Sequence, residues 1–377
     1  MKKFRLRVAA LLSGVMLSIL ATTSVQGQPL ATADVFRDWL SQCHAARVCN
    51  GVYLVAREGQ PVFIGTAGDG GDAARTALTT DSAFDIGSIS KQMTAVAVLK
   101  LAEDGRLSVD DKVALHLPDF PYAGVTIAQL LSHSSGIPDV LGEYAARLRP
   151  GPDGQPAVTL IDGTDIVPFL AALAKPAENA PGETYAYNNT GYMVLASLVE
   201  AVSGQPFGDY LQTALFQPLG MNHTLLRTPG TELAIRNRVE AYQPRPNDER
   251  RPYDQIPGVY IRGGGGLYST VIDLLAWQNA LDRHLLPAEL WHRATTPVRL
   301  SDGSTAPYGF GFNLKPDVEG AARISHAGHW RGFKADLSSY PASRIVVIQL
   351  TNNGGDDSVD ANTAVLRHLA EDRAVDR

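Results

Sequence analysis

The segment FDIGSISKQMTAVAVLKLAEDG, residues 84–105, is the stretch around which the rest of the sequence can be organised. From Ser88 onward, apolar residues recur at helical spacing, as in a helix that buries one face. Asp104 and Gly105 are residue types that commonly end a helix. We therefore predict a helix from Ser88 to about Ala102, which places Ser88 in its first turn.

Ser88 and Lys91 lie three residues apart at the start of this predicted helix. Positions i and i+3 share a helix face, so Ser88 Oγ and Lys91 Nζ can meet. A serine hydroxyl needs a neighbouring base to act as a nucleophile, and Lys91 could be that base if burial lowered its pKa. Backbone N–H groups at a helix start also favour a developing oxyanion. The alternative is a capping serine followed by a surface lysine.

A second candidate group is Tyr187-Asn188-Asn189, which precedes a helix predicted over residues 190–202. A phenol can relay a proton, and an amide can both donate and accept hydrogen bonds. Tyr187 and Asn189 are therefore candidates for catalysis and substrate binding. The alternative is an aromatic residue followed by a helix-capping asparagine.

The third candidate group is His326-Ala327-Gly328, in a predicted strand. Gly328 would let a ligand approach the backbone closely, and His326 could hold a proton or donate to an anionic substrate. His326 and His329 have the spacing H-x-x-H, but on a strand such residues point to opposite faces, so we expect no metal site. The alternative is a partly exposed strand histidine.

Strands are predicted near both ends of the chain and helices between them. The strand-like segments are residues 51–68, divided at Glu58-Gly59, and residues 308–314, 322–327, 333–340 and 344–351. The helical segments are residues 126–132, 164–174, 190–202, 207–215, 270–280 and 357–371, with loops at 146–157 and 243–257. The economical assembly is an α/β (α+β) fold: an antiparallel sheet of N- and C-terminal strands flanked by helices, with an inserted all-α domain. We place the α/β part at residues 28–105 and 260–377, and the helical insert at 106–259.

Residues 1–27 have the features of a secretory signal peptide: Lys2, Lys3, Arg5 and Arg7 precede an apolar run and a small-residue region. The alternative is an uncleaved membrane anchor, although the run is short for a span. We expect a secreted or periplasmic protein of residues 28–377, with no stable membrane span after cleavage.

Removal of the leader would take the net charge from −6 to −10, which disfavours nucleic-acid binding. The two cysteines, Cys43 and Cys49, could form a small disulfide loop in an exported protein or remain free thiols. The sequence indicates no cofactor, and it indicates nothing about oligomeric state.

Taken together, the three motifs and their order resemble the serine β-lactamase-like superfamily, in particular the branch of class C β-lactamases, D,D-carboxypeptidases, family VIII esterases and D-amino-acid peptidases. The similar blocks are FDIGSISKQMTAVAVLKLAEDGRLSVDDKV, LLSHSSGIP (130–138), PGETYAYNNTGY (181–192), GGGGLYSTVIDLLAW (263–277) and SHAGHWRGF (325–333). The resemblance covers about residues 34–370. It implies an α/β domain with an inserted all-α domain, in agreement with the assembly reached from the pattern.

The resemblance also implies roles for individual residues. Ser88 would be the acylated nucleophile, and Lys91 and Tyr187 would share the work of general base and proton relay. Asn189 would hydrogen-bond Lys91 and the substrate. The remaining implied roles concern the strand: His326 and Gly328 would line the pocket edge, and the N–H groups of Ser88 and His329 would form the oxyanion hole.

The sequence departs from the usual third motif of β-lactamases, Lys-Thr/Ser-Gly. Ala327 lacks a hydroxyl, and His326 is a weaker cation than lysine near neutral pH; Arg331 is close enough in sequence to replace the charge. We therefore expect a small-molecule or peptide substrate cleaved at an ester or amide, by an esterase or D-amino-acid peptidase rather than a true β-lactamase. The alternative function is a catalytically silent protein that binds peptidoglycan or peptides on the same fold. Two other features suggest structural roles: Gly263–Gly266 as a tight turn, and His133.

Overall fold

The computed structural model describes residues 32–46, 49–149, 158–245, 249–354 and 359–371. Its central element is a five-stranded sheet in which neighbouring strands run antiparallel. In order across the sheet, the strands are β10 (Ile324–Trp330), β11 (Phe333–Tyr340), β12 (Ile345–Thr351), β1 (Gly51–Arg57) and β2 (Gln60–Ala67). The first strand pairs with the last, with Val55 opposite Val347. This confirms the predicted sheet built from strands of both chain ends.

The strands have the following bounds. The five-stranded sheet contains β1 (Gly51–Arg57), β2 (Gln60–Ala67), β10 (Ile324–Trp330), β11 (Phe333–Tyr340) and β12 (Ile345–Thr351). The short strands are β3 (Phe84–Asp85), β4 (Leu225–Leu226), β5 (Tyr242–Pro244), β6 (Arg250–Pro252), β7 (Leu267–Ser269), β8 (Val298–Arg299) and β9 (Thr305–Ala306).

The helices have the following bounds. They are α1 (Thr32–Ala45), α2 (Ser90–Glu103), α3 (Val113–His116), α4 (Ile127–Leu131), α5 (Leu141–Ala146), α6 (Ile166–Leu173), α7 (Asn189–Ser203), α8 (Phe207–Leu211), α9 (Val271–Asp282), α10 (Ala288–Ala294) and α11 (Val359–Glu371). None of these described helices combines the length and the apolar character needed to cross a membrane.

The central strands are buried on both faces because helices cover both sides of the sheet. Alternate residues of β1 point to opposite faces, as the period of a strand requires. Tyr53 and Val55 pack with residues of α1 and α11, whereas Val52 and Leu54 belong to the large core that also contains α2 and α9. The sheet is therefore the middle layer of the molecule.

Helix α2 lies between the sheet and the helical region, and it is buried over most of its length. It packs against α7, which is itself almost wholly buried. A helix that is apolar on every side belongs in a core. The start of α2, which contains Lys91 and directly follows the turn that holds Ser88, is therefore fixed within the core.

Four details differ from the sequence-based predictions. The segment 308–314 is not a strand: Gly311 adopts φ +82°, and the chain turns so that Tyr308 and Asn313 form an isolated bridge. The α-helix begins at Ser90, two residues later than predicted.

The region predicted as an all-α insert also contains strands. β4 pairs with β7, and the predicted loop 243–257 contains the hairpin β5–β6. Strands of two or three residues are too short to show a period of two, which is why the pattern did not reveal them.

Cys43 and Cys49 form a disulfide between the end of α1 and the start of β1. The closed loop therefore ties the terminal helix to the sheet. The predicted leader, residues 1–27, lies outside the described residues.

Candidate active site

Ser88 lies in a single 3₁₀ turn, Gly87–Ile89, directly before α2. Gly87 has φ +50°, a conformation that glycine adopts at little cost. The buried Asp85 carboxylate accepts a hydrogen bond from the Gly87 N–H at 2.8 Å, and Ser90 Oγ donates to the Gly87 carbonyl at 2.7 Å. The backbone on either side of Gly87 is thus held by side chains, which fixes the position of Ser88.

Lys91 is fully buried, and its Nζ has three oxygen partners. It lies 3.0 Å from Ser88 Oγ, 2.9 Å from Asn189 Oδ1 and 2.7 Å from the Gly264 carbonyl oxygen. Burial lowers the pKa of Lys91 to about 7, and the negative charge of Asp139 opposes that shift. The ammonium and the neutral amine are therefore both accessible near neutral pH.

Tyr187 stands beside this pair and is 41% exposed, facing the cavity described below. Its ring centroid is 4.8 Å from Lys91 Nζ. Burial raises the pKa of Tyr187, and the neighbouring Ser88 side chain only partly opposes this. Tyr187 is therefore a neutral phenol near neutral pH, whereas Lys91 is not fully charged.

The edge strand β10 meets the Ser88 turn at two glycines. A Cβ on Gly328 would lie 1.9 Å from the Ile86 carbonyl oxygen and 3.2 Å from the Ser88 nitrogen. A Cβ on Gly87 would lie 2.6 Å from the His329 nitrogen. Glycine at both positions lets the two backbone segments come this close, with the Ser88 nitrogen beside Gly328 and the His329 nitrogen beside Gly87.

His326 occupies a different position from the one expected. It is buried, its Nδ1 donates to the Ala327 carbonyl oxygen at 2.7 Å, and its Nε2 therefore accepts from the Tyr308 hydroxyl at 2.9 Å. Burial, aided by the positive charge of Lys91, lowers the pKa of His326 to about 3. The imidazole is neutral with both nitrogens occupied, and the exposed Ala327 takes the side of the strand that faces the cavity.

A cavity of about 460 Å³ opens at Ser88. Its lining combines polar groups around Ser88 with a few apolar side chains. The described residues that line it are Asp85, Gly87, Ser88, Leu141, Tyr187, Asn189, Arg227, Gln255, Val259, Ile261, Gly264, Gly265, Gly266, Ala327, Gly328, His329 and Trp330. This volume lies within the range of pockets that bind drug-sized small molecules.

The structure brings together most of the residues that the sequence singled out. Ser88, Lys91, Tyr187 and Asn189 form one contact group, while Gly328 and His329 lie across the cavity. His133 lies beneath the site, where its Nδ1 accepts the Asn188 N–H at 3.1 Å.

Other contacts of the site were not expected from the sequence. Gly264, interpreted as part of a tight turn, supplies a carbonyl oxygen to Lys91. The run of four glycines was the available signal, because such a run permits close backbone approach. No sequence motif identified Asp85 or Asp139 as part of the site. Arg331 turns away: its Nε donates to the Asp254 carbonyl oxygen at 3.0 Å, and its guanidinium lies 4.1 Å from the Tyr253 ring centroid.

This fold and this serine–lysine site define a class of protein. The model of the β-lactamase family matches residues 36–371, so the chain belongs to that family. It is a β-lactamase-family serine hydrolase.

Individual relatives give a finer comparison. The chain is 32% identical over 334 residues to penicillin-binding protein 4* of Bacillus subtilis, covering 84% of this chain and 71% of that protein. It is 26% identical over 307 residues to a D-aminopeptidase of Gluconobacter oxydans, covering 80% of this chain. The chain spans only 55% of the length of that D-aminopeptidase.

Among solved structures, a penicillin-binding protein from Bacillus halodurans matches with a TM-score of 0.73 and 28% identity, covering 86% of this chain and 98% of that one. An octameric penicillin-binding protein homologue from Pyrococcus abyssi matches with a TM-score of 0.75 and 28% identity, covering 89% and 78%. These similarities confirm the β-lactamase-like fold.

Proposed function

We propose that the protein hydrolyses an ester or amide through an acyl-enzyme on Ser88. The observation that carries the proposal is the 3.0 Å contact between Ser88 Oγ and the buried Nζ of Lys91. A serine becomes nucleophilic when a neighbouring base takes its proton, and a base with a pKa near the working pH is the most effective. Lys91, with its pKa lowered to about 7, meets both conditions.

Lys91 is the better candidate than Tyr187 for the first proton transfer. A neutral amine has two N–H donors and one lone pair. The carbonyl oxygens of Asn189 and Gly264 can only accept, so they take the two N–H groups and leave the lone pair for the Ser88 hydroxyl. Tyr187 has a raised pKa and keeps its proton, which suits it to donate towards the leaving group.

The reaction then follows in two stages. Ser88 Oγ bonds to the carbonyl carbon as its proton passes to Lys91, and the oxyanion accepts hydrogen bonds from the N–H groups of Ser88 and His329. Collapse of this intermediate breaks the bond to the leaving group, which takes up a proton relayed through Lys91 and Tyr187. In the second stage a water molecule bonds to the acyl carbon as its proton passes to the Lys91–Tyr187 pair. The bond to Ser88 Oγ then breaks, the pair returns the proton to that oxygen, and the acid product leaves.

The strand side of the cavity favours esters or D-amino-acid amides and peptides over β-lactams. Ala327 has no hydroxyl, His326 is neutral and buried, and Arg331 points elsewhere. These three residues therefore provide no cation–hydroxyl pair to bind the carboxylate of a lactam drug. The similarity to D-aminopeptidases also supports an amide or peptide substrate for this site.

We further propose that the protein is exported. The basic and apolar composition of residues 1–27 supports this, as does the Cys43–Cys49 disulfide, because disulfides persist in oxidising compartments. Expression of the full chain with analysis of the mature N-terminus would test the proposal. A mature protein that begins near residue 28 in the extracytoplasmic fraction is expected; an intact leader in the cytoplasm would contradict export.

The covalent step is tested by mass spectrometry after treatment with a fluorophosphonate or penicillin probe. We expect one adduct, on the peptide that contains Ser88, and no adduct in Ser88→Ala. Ser203→Ala, which changes a serine outside the site, is the matched control and should label like the unmodified chain. A folded protein without an adduct, which binds peptides equally well after Ser88→Ala, would indicate a silent binding protein instead.

The substrate class is tested by comparing nitrocefin, p-nitrophenyl butyrate and a D-Ala-D-Ala peptide under one set of conditions. We expect turnover of the ester or the peptide to exceed that of nitrocefin. Preference for nitrocefin would overturn the assignment of substrate and leave the acyl-enzyme intact.

A further inference from the structure

Asp139 lies beside the site without contacting Ser88 or Lys91 directly, and it is exposed. Its carboxylate accepts hydrogen bonds from the N–H and the side-chain Nδ2 of Asn189, both at 3.1 Å to Oδ2. Its Oδ1 accepts from Thr190 Oγ1 at 2.8 Å, and from the N–H groups of Thr190 and Leu141 at 3.3 Å each. Five donors therefore converge on this one side chain.

These contacts fix which way the Asn189 amide faces. An ionised carboxylate can only accept hydrogen bonds, so the NH₂ end of the amide must point to Asp139. The carbonyl end then points to Lys91, where Oδ1 lies 2.9 Å from Nζ. The opposite orientation would place two acceptors together at Asp139 and bring an NH₂ donor to Lys91.

The orientation of the amide matters for the base. With the carbonyl oxygen towards Lys91, an N–H of the neutral amine is held there and the lone pair remains available to Ser88. With the NH₂ group towards Lys91, the lone pair would accept from Asn189 and would be lost to the Ser88 hydroxyl.

We propose that Asp139 is a positioning residue that, through the amide of Asn189, keeps the lone pair of Lys91 directed at Ser88. The inference rests on the proposed acyl-enzyme function and deepens it. It names a residue that acts on the base through another side chain rather than by touching substrate.

Among the described residues, Asp139 is the negative charge that raises the pKa of Lys91. His133 and His326 face it from the helical and strand sides, and burial, with the charge of Lys91, lowers the pKa of each. Tyr187 and Tyr192 present their rings at 4.8 and 5.5 Å, and the pKa of each hydroxyl is raised by burial. The charge of Asp139 opposes the lowering of the Lys91 pKa, so its removal should lower that pKa further.

The test measures the second-order rate constant for labelling of Ser88 by an uncharged fluorophosphonate, between about pH 5 and about pH 9. For the unmodified chain, labelling should rise through a midpoint near pH 7, as Lys91 loses its proton. In Asp139→Asn the plateau should fall at least about tenfold, and the midpoint should move to lower pH by at least about 0.5 unit.

Three further variants separate positioning from stability. Asp139→Ser keeps a short side-chain oxygen that can accept from the Leu141 N–H two residues on, so it should fold and show the same two changes. Asp139→Glu keeps the acceptor and should retain the midpoint. Thr190→Val removes a neighbouring contact of the same carboxylate. It should lower the melting temperature, leave the pH midpoint of labelling unchanged and keep the plateau rate constant within about twofold.

The outcomes are distinct. Labelling of Asp139→Asn and Asp139→Ser with the unmodified midpoint and plateau would overturn the inference, as would an equal shift in Thr190→Val. Absence of labelling in the unmodified chain would overturn the proposed function and this inference with it.

Discussion

The two sides of the cavity are built on different principles. On the helix side, Lys91 is buried, its Nζ contacts Ser88, Asn189 and Gly264, and burial lowers its pKa to about 7. On the strand side, the corresponding polar side chain, His326, is neutral and turned away from the cavity, and the strand contributes Ala327 and backbone.

The contrast shows where side-chain chemistry matters and where backbone shape matters. The helix side requires particular functional groups at particular distances, so conservative replacements there should abolish activity. The strand side requires a strand that can approach the Ser88 turn closely, so the absence of a side chain at Gly328 is its main requirement. Four substitutions test this division.

Replacement of Lys91 by methionine should have the largest effect. Methionine keeps much of the volume but removes the base, so kcat/KM for ester hydrolysis should fall by about 10²–10⁴. The rate of p-nitrophenyl butyrate hydrolysis measures this. Lys100→Met, on the same helix but paired with Glu103 at the surface, is the matched control and should lose less than about threefold. Retained activity in Lys91→Met would mean that another group is the base.

Gly328→Ala should have the next largest effect. The added Cβ would meet the Ile86 carbonyl oxygen at 1.9 Å, so the strand must move away from the Ser88 turn. We expect a loss of stability of about 1–3 kcal/mol and a fall in kcat of about 10². Thermal melting and ester hydrolysis measure the two effects. Gly142→Ala, in helix α5 with open space around the new methyl group, should be neutral or slightly stabilising.

The pH dependence of kcat/KM distinguishes a requirement for neutral Lys91 from a requirement for protonated His326, because the two predict opposite changes with pH. If Lys91 must be neutral, kcat/KM is low when it is protonated and rises with pH through about 7. His326, with its pKa lowered to about 3, stays neutral over that range and adds no falling limb between pH 6 and pH 8. In His326→Gln the rising limb should remain, with activity within about tenfold. A profile that falls as pH rises from 6 to 8 would show that a protonated histidine is needed.

Ala327→Ser should have the smallest effect. The added hydroxyl would face the cavity and could donate to a carboxylate-bearing substrate. We expect acylation by penicillin to accelerate by about three- to tenfold, with hydrolysis of an uncharged ester nearly unchanged. Equal acceleration of both substrates would show that the hydroxyl acts on the reaction itself rather than on substrate recognition.

Much of the fold was predictable from short-range patterns. The strands 333–340 and 345–351 and the helix at 189–203 show clear periods and appear within one or two residues of the predicted bounds. The segment 308–314 was misassigned because its aromatic alternation imitates a strand, whereas Gly311 at positive φ folds the chain back. Alternation of aromatic residues along the sequence does not show where the backbone reverses direction.

The candidate site was predictable where residues are close in sequence or occur in a shared motif. The meeting of Ser88 with Lys91 follows from helical spacing. The contact of Asp139 with Asn189 joins residues 50 positions apart, and no spacing rule connects them. The contact of His326 with Tyr308 could not be predicted either, because Tyr308 lies in the misassigned segment.

The pairing of β1 with β12 has a consequence for how the molecule is made. The middle of the sheet joins residues about 290 positions apart, so it cannot form until nearly the whole chain has been synthesised. Contacts this distant in sequence form slowly because a very long loop must close first. A chain that completes its sheet last remains incompletely folded for longer after synthesis. The same arrangement means that a protein truncated before residue 345 would lack the strand that links its two halves.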